Sequence, residues 1–296
     1  MSLPPLAAEK MFEIGNMPIT NSYINSTIAV LIFGLFTFLI NRAIKKYYHP
    51  KLKTNEPKVY KGIEQAPKGI LNFFESILEI LLEQIDNITK DRKKTLKFLP
   101  IVGTLFLFIL VSNWLGLLPG TGSFGIYQVH KGAIELIPLL RPANADLNMT
   151  LAMAVFAVMG AHIIGIATIG FFKYANKFIK LGDLFHAFLS LNPIKIMVAV
   201  IEFFVGFIEI ISEMAKMVSL SLRLLGNIFA GEILLTVLAG LIPFFVPLPF
   251  MFLEILVGLI QAMVFSILTL VYLVMATAEI HTHAEHNNPE QLAEHN

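Results

Sequence analysis

Long apolar runs constrain this chain more than any other feature. A helix that crosses a bilayer needs roughly 20 largely apolar residues, and the sequence supplies such runs at 26–47, 96–118, 148–172, 194–242 and 250–277. Composition agrees: 56% of the 296 residues are apolar and 15% are charged, where a soluble domain carries about 25% charged residues. The expected fold is an all-α integral membrane protein, a single membrane domain over 1–296 with about five membrane-embedded helices. Between the first two runs, Ile77, Leu78, Ile80, Leu81, Leu82 and Ile85 alternate with Glu75, Glu79, Glu83 and Asp86. That pattern predicts an amphipathic helix over 70–89, lying on the membrane surface or packed against a partner element. A polar tail, 278–296, contains four histidines, His281, His283, His286 and His295.

The run 194–242 is the unusual one, because it contains no proline and its pattern stays apolar around a few charged residues. As a helix it extends roughly 70 Å, against a hydrocarbon core of roughly 30 Å. It must tilt or bend. The turn Pro243-Phe-Phe-Val-Pro-Leu-Pro249 then sends the chain back into the final run. The last two helices are therefore expected to be long, tilted and antiparallel.

Basic residues orient the chain. Seventeen of the 22 Lys and Arg fall within 42–97 and 173–195, while Lys10, Lys131 and Arg141 are assigned to the other loops. The positive-inside rule then places the N-terminus outside and the C-terminus in the cytoplasm. The two cations left over, Lys216 and Arg223, fall inside the run 194–242.

An ionisable group at the bilayer centre costs at least ~2.5–3.5 kcal/mol, so such residues mark ion or proton pathways. At 100° per residue, Glu202, Glu209, Glu213, Lys216, Arg223 and Asn227 occupy a sector of about 80°, one polar stripe. Glu232 falls half a turn out of phase with Arg223. With the turn centred near Phe244, Glu232 lies at the depth of Glu254, and Asn227 at the depth of Gln261. Two carboxylates and two amides at matched depths read as a proton-accessible path from outside, with Glu254 the expected partner of Glu232. Lys216 and Glu213, three residues apart, suit an ion pair on the helix surface. His162 reads as a packed histidine rather than a relay.

Several classes are excluded. A net charge of +1 argues against a nucleic-acid partner. With no cysteine there is no disulfide scaffold and no cysteine-ligated metal. The tail histidines offer poor ligand geometry, so neither metal nor cofactor is expected. The glycines at 120, 122 and 125 follow a span and open no helix, so they do not make a dinucleotide site. No G-x-x-x-x-G-K-[ST] occurs, so the chain is not expected to be an ATP-binding catalyst. The first twenty residues, with Pro4, Pro5, Glu9 and Glu13, lack the order of a signal peptide. The absence of a targeting sequence favours a bacterial plasma membrane over an organelle. A secondary transporter often shows paired repeats, and none is visible. A purely structural scaffold has no need of an aligned intramembrane stripe.

The segment Ser219-Leu-Ser-Leu-Arg-Leu-Leu-Gly-Asn-Ile-Phe-Ala-Gly-Glu232 resembles the signature of subunit a of F-type ATP synthases. Gln261-Ala, Leu270-Val-Tyr-Leu273, Asn113-Trp-Leu-Gly-Leu-Leu-Pro-Gly120 and Arg141-Pro-Ala-Asn-Ala-Asp-Leu-Asn-Met-Thr-Leu151 also look like its motifs. The resemblance spans about 96–277. It implies a stator subunit pressed in the bilayer against a rotating ring of c subunits, with the peripheral-stalk b subunit as a further partner. It also implies two offset half-channels separated by an arginine, which Arg223 matches. Asn227, Glu232 and Gln261 match residues of the outer half-channel. Glu254 joins them, at a position where some members carry histidine. Glu209 matches an acidic position on the inner side, and Glu213 and Ser219 are assigned to the same inner half-channel. On this resemblance the coupling ion, proton or sodium, is decided by the c subunit.

Overall fold

The computed structural model describes residues 8–15, 17–48, 70–118, 125–130, 133–138, 141–178, 193–242 and 245–278. The helices are α1 (Asn21–Tyr48), α2 (Ile70–Thr89), α3 (Arg92–Gly116), α4 (Leu147–Ile169), α5 (Phe171–Phe178), α6 (Pro193–Leu241) and α7 (Pro247–Thr277). Among the described residues four of them are long and apolar enough to cross a membrane, over Asn21–Arg42, Arg92–Gly116, Leu147–Ile169 and Pro247–Thr277. The fifth long helix, α6, runs unbroken for 49 residues and carries the charged stripe. The chain is thus an all-α membrane protein.

Two antiparallel hairpins add to that plan, β1 (Lys10–Ile14) with β2 (Met17–Thr20), and β3 (Gly125–His130) with β4 (Ala133–Pro138). Both fall in segments that hydropathy leaves as loops. Of the glycine motif at 120–125 only Gly125 is described, opening β3. The expectations for the basic loop residues in 49–69 and 179–192, and for the tail histidines, lie outside the described residues.

The chain divides into two compact units, residues 1–156 with 217–271, and residues 157–216 with 272–296. In the first, α2 and α3 form a tight helical hairpin. Lys90 turns the chain with φ 51. Asp91 is extended and caps α3, its carboxylate accepting the Lys93 N–H at 2.9 Å. Leu81 and Ile85 on α2 and Phe98, Val102 and Leu105 on α3 are buried, at helical spacing. So α2 is amphipathic, packing one face on α3 while Leu78 and Ile80 stay exposed.

A belt of asparagines fastens the rest of this unit. Asn113 Nδ2 donates to the Gly258 carbonyl at 3.1 Å, and Asn144 Nδ2 to Asn113 Oδ1 at 2.6 Å. Asn25 Nδ2 donates to the Arg141 carbonyl at 2.5 Å. Trp114 Nε1 donates to the Ile255 carbonyl at 3.1 Å. Such bonds between helices are worth making in an apolar medium, where an unpaired polar group is costly. Asp146 then caps α4, accepting the Asn148 N–H at 3.0 Å. The segment from Arg141 to Asp146 is consequently buried and fixed from three sides.

In the second unit α4 stops at Ile169, short of the expected 172. Gly170 takes φ +94, a conformation open to glycine, and its N–H closes the helix on the Ile166 carbonyl at 2.9 Å. The chain then begins α5 as a separate short helix.

Candidate ion-translocation site

Within the first unit α6 has two unlike sides. Leu220, Ser221, Leu224, Leu225, Ile228 and Gly231 are buried. Ser219, Leu222, Arg223, Gly226, Asn227 and Ala230 are exposed. The exposed set alternates spacings of three and four, so it forms one continuous stripe. Arg223 stands in its middle. Apart from Leu222, the residues around it are short, so a neighbouring helix can approach the α6 backbone closely. Among the described residues Arg223 makes no ion pair.

Beside this stripe Asn227 Nδ2 donates to Gln261 Oε1 at 2.7 Å, so the antiparallel register of α6 and α7 brings the two amides together. Gln261 is buried, and its Nε2 has no hydrogen-bond partner among the described residues. A buried donor left over in this way is a natural site for water or a passing polar group.

The two carboxylates behave differently from expectation. Glu232 does not take Glu254 as its partner. Its Oε1 and Oε2 accept from Arg141 Nε at 3.0 and 3.1 Å, and Oε2 also accepts from Arg141 Nη2 at 3.0 Å. The Arg141 side chain is 1% exposed, and its guanidinium lies 5.9 Å from the Phe229 ring centre. Arg141 lies outside the helices and strands, as its assignment to a loop expects, but its side chain is buried rather than solvated. The physical reason is that a bidentate carboxylate and an aromatic face together replace the water an arginine would otherwise keep. Sequence reasoning missed this residue, since it adjoins no apolar run long enough to flag it. The only available signal was its place at the head of the Pro142-Ala-Asn-Ala-Asp146 motif.

Glu254 is 7% exposed. Its carboxyl group lies against the α6 backbone at Gly231, where any added Cβ would overlap it. Among the described residues it has no ion-pair partner. Glycine at 231 is what lets the carboxyl approach the helix next to Glu232.

The second unit holds Glu209 and Glu213. Glu213 Oε1 accepts from Lys216 Nζ at 2.6 Å, and the same ammonium sits 5.4 Å from the Tyr272 ring centre. Glu213 Oε2 lies 3.5 Å from His162 Nε2, and His162 Nδ1 bonds the Tyr174 hydroxyl at 2.6 Å. His162 is thus one link in a polar chain of four side chains, not a merely packed ring. Burial, and then the charges of Glu213 and Glu209, push the Tyr174 phenol up to about 12. Among the described residues no cluster of His, Asp and Glu has the arrangement of a metal site.

Comparison with known proteins places the chain. The family model described as ATP synthase A chain matches residues 22–274. ATP synthase subunit a of Geotalea uraniireducens is 34% identical over 221 residues, 75% of this chain and 80% of that protein. The protein of the same name from Gloeobacter violaceus is 35% identical over 210 residues, 71% of this chain and 72% of its own. That from Moorella thermoacetica is 29% identical over 264 residues, 89% of this chain and 94% of its own. A membrane-spanning helical chain, a match covering most of its length and relatives of one name lead to one conclusion: the chain belongs to the ATP synthase A chain family, the membrane subunit a of ATP synthase, and its work is the ion transport tied to ATP synthesis.

Proposed function

We propose that this chain is the ion-translocating stator of a rotary ATP synthase, a single membrane domain that offers two offset half-channels to a ring of c subunits. The observation that carries this reading is Arg223, a guanidinium in the middle of an exposed small-residue stripe on a long apolar helix. An arginine facing lipid there is expensive, and a carboxylate presented by a passing helix is what would compensate it. Arginine stays protonated at any accessible pH. It therefore acts as a fixed cation beside which a ring carboxylate ionises, and past which an occupied site does not move until it discharges. Asn227, Gln261, Glu232 and Glu254 form the outer half-channel, and the Gln261 donor gives water a foothold beside Arg223. Glu209, Glu213 and Ser219 belong to the inner half-channel. The transported ion is the proton, with sodium the alternative if the ring carries a sodium site. The chain itself performs no covalent catalysis. The ring and a peripheral-stalk b subunit are its partners in a bacterial plasma membrane.

Arg223→Ala is expected to abolish ATP-driven pumping in inverted membrane vesicles while the complex still assembles. Arg223→Lys should be severely impaired, because a desolvated lysine can lose its proton. Pumping at the wild-type rate by the alanine variant would sink the proposal. The N-terminus lies outside and the C-terminus in the cytoplasm. Cysteines at Glu202 and Leu238, labelled from each side of the membrane, report that orientation. Glu202 should react from the cytoplasmic side and Leu238 from the outer side, and the reverse pattern refutes it.

A further inference from the structure

The polar side chains of the second unit meet at an imidazole to which the half-channels described above assign no part. We propose that His162 is a proton-transfer residue of the inner half-channel, its imidazole taking up and releasing the transported proton beside Glu213. This rests on the reading of the chain as the ion-translocating stator.

Both nitrogens of the imidazole are engaged. Nδ1 is 2.6 Å from the Tyr174 hydroxyl, and Nε2 is 3.5 Å from Glu213 Oε2. A neutral imidazole offers one donor and one acceptor, whereas an imidazolium offers two donors. The hydroxyl meets either state by turning its hydrogen, and the carboxylate accepts in both. His162 therefore gains or loses a proton without moving a heavy atom. Its surroundings hold that arrangement still. Tyr174 is buried, and its ring fills the space beside Gly165, where an added Cβ would overlap it and the Ala276 carbonyl. Phe178 meets the imidazole edge-on, with ring centres 5.9 Å apart. Glu213 is gripped by Lys216, whose ammonium lies over the Tyr272 ring. Burial pushes the Tyr174 phenol up to about 12, so that hydroxyl stays neutral wherever an imidazole titrates. The titratable groups around this junction are Glu209, Glu213 and Lys216 from α6, Tyr174 from α5 and Tyr272 from α7, while Lys173 of α5 is exposed. Glu213 also belongs to the same unbroken helix as Arg223. During synthesis a proton released by the c ring passes to the neutral imidazole, and the imidazolium then gives it to water on the cytoplasmic side. Hydrolysis runs the same two steps backwards. The imidazole returns to its starting state each time, and no other bond changes.

The experiment is ATP-driven proton uptake by the intact synthase in inverted vesicles, where the inner face meets the buffer. Imidazole is the side-chain group whose ordinary titration lies between about pH 5 and 8. Initial uptake by the wild type should fall in one step within that window as the buffer is made more alkaline. His162→Gln should lose that step and lower the rate at least roughly tenfold. Imidazole added to the buffer should raise the rate of His162→Ala severalfold, because it enters the space left behind. It should not raise that of His162→Phe, whose ring fills the space. A histidine that only packs helices together gives neither the lost step nor the selective rescue. Retention of the step in His162→Gln, or an equal response of the alanine and phenylalanine variants to imidazole, overturns the proposal. Tyr174→Phe keeps the packing on Gly165 and removes only the hydroxyl. An imidazolium loses more than a neutral imidazole when that oxygen goes, so the step should shift to lower pH. A step that stays in place overturns the proposal even where the His162 variants fail to assemble. Wild-type pumping by Arg223→Ala would instead defeat the stator reading itself, so the two failures are distinguishable.

Discussion

At the residue scale two arginines with the same chemistry have opposite surroundings. Arg223 stands on an open stripe, whereas Arg141 is sealed against Glu232 and Phe229. Sequence reveals the first, because a charge inside a long apolar run is conspicuous. It hides the second, because a loop position gives no sign of burial, and only the fold brings Glu232 and Phe229 against the Arg141 side chain. The register argument fared differently for its two pairs. It brought Asn227 to Gln261, and the Glu254 carboxyl to Gly231 beside Glu232, but the Glu232 carboxylate itself turns to Arg141, since depth along a helix says nothing of which way a side chain turns. In the second unit, burial pushes the Tyr174 phenol up to about 12, its hydroxyl hydrogen-bonds His162 Nδ1, and His162 Nε2 faces the Glu213 carboxylate. The pKa is raised on folding. The stabilisation it brings is therefore fully present below the ordinary phenol value of about 10 and is lost as pH rises through about 12. An ultraviolet titration of wild type against Tyr174→Phe should isolate one late-ionising phenol in the difference. A difference curve with its midpoint near 10 would remove the burial argument.

At the element scale the contact between α6 and α7 depends on Gly231. Gly231→Ala puts a methyl group where the Glu254 carboxyl sits. Overpacking of this kind costs about 1–3 kcal/mol, and here it should also slow flux by displacing the carboxyl. Thermal unfolding of the complex measures the first effect and vesicle pumping the second. Adding Glu254→Ser should return the stability, since it removes the atoms in the way. Helix extents were legible from hydropathy to within a few residues, and α2 appears over Ile70–Thr89 as its amphipathic pattern predicts. The departures have local causes. Gly170 ends α4 early through a left-handed backbone, and the two hairpins pair strands too short for a periodicity argument. Asp91 and Lys90 show the reverse case, where an ordinary capping aspartate separates α2 from α3 in a stretch with no proline or glycine.

At the scale of the whole molecule, the membrane character and the helical plan were carried by composition and apolar runs, whereas the pairing of buried charges was not. The exposed stripe makes one further prediction. A side chain added at Gly226 meets open space within this chain. Gly226→Leu should therefore leave the subunit's own folding intact and yet stop transport, because the bulk projects toward the proposed ring. Unchanged assembly with lost pumping is the expected result, and normal pumping would mean the ring passes elsewhere. The same stripe bears on the bilayer around an unassembled copy. A freshly inserted copy, before its partner arrives, holds a guanidinium against hydrocarbon and must draw in headgroups or water to relieve it. Such a copy is a local flaw in the bilayer. On the stator reading proposed above, a carboxylate brought in by the ring would heal that flaw, so assembly itself would be drawn forward by solvation.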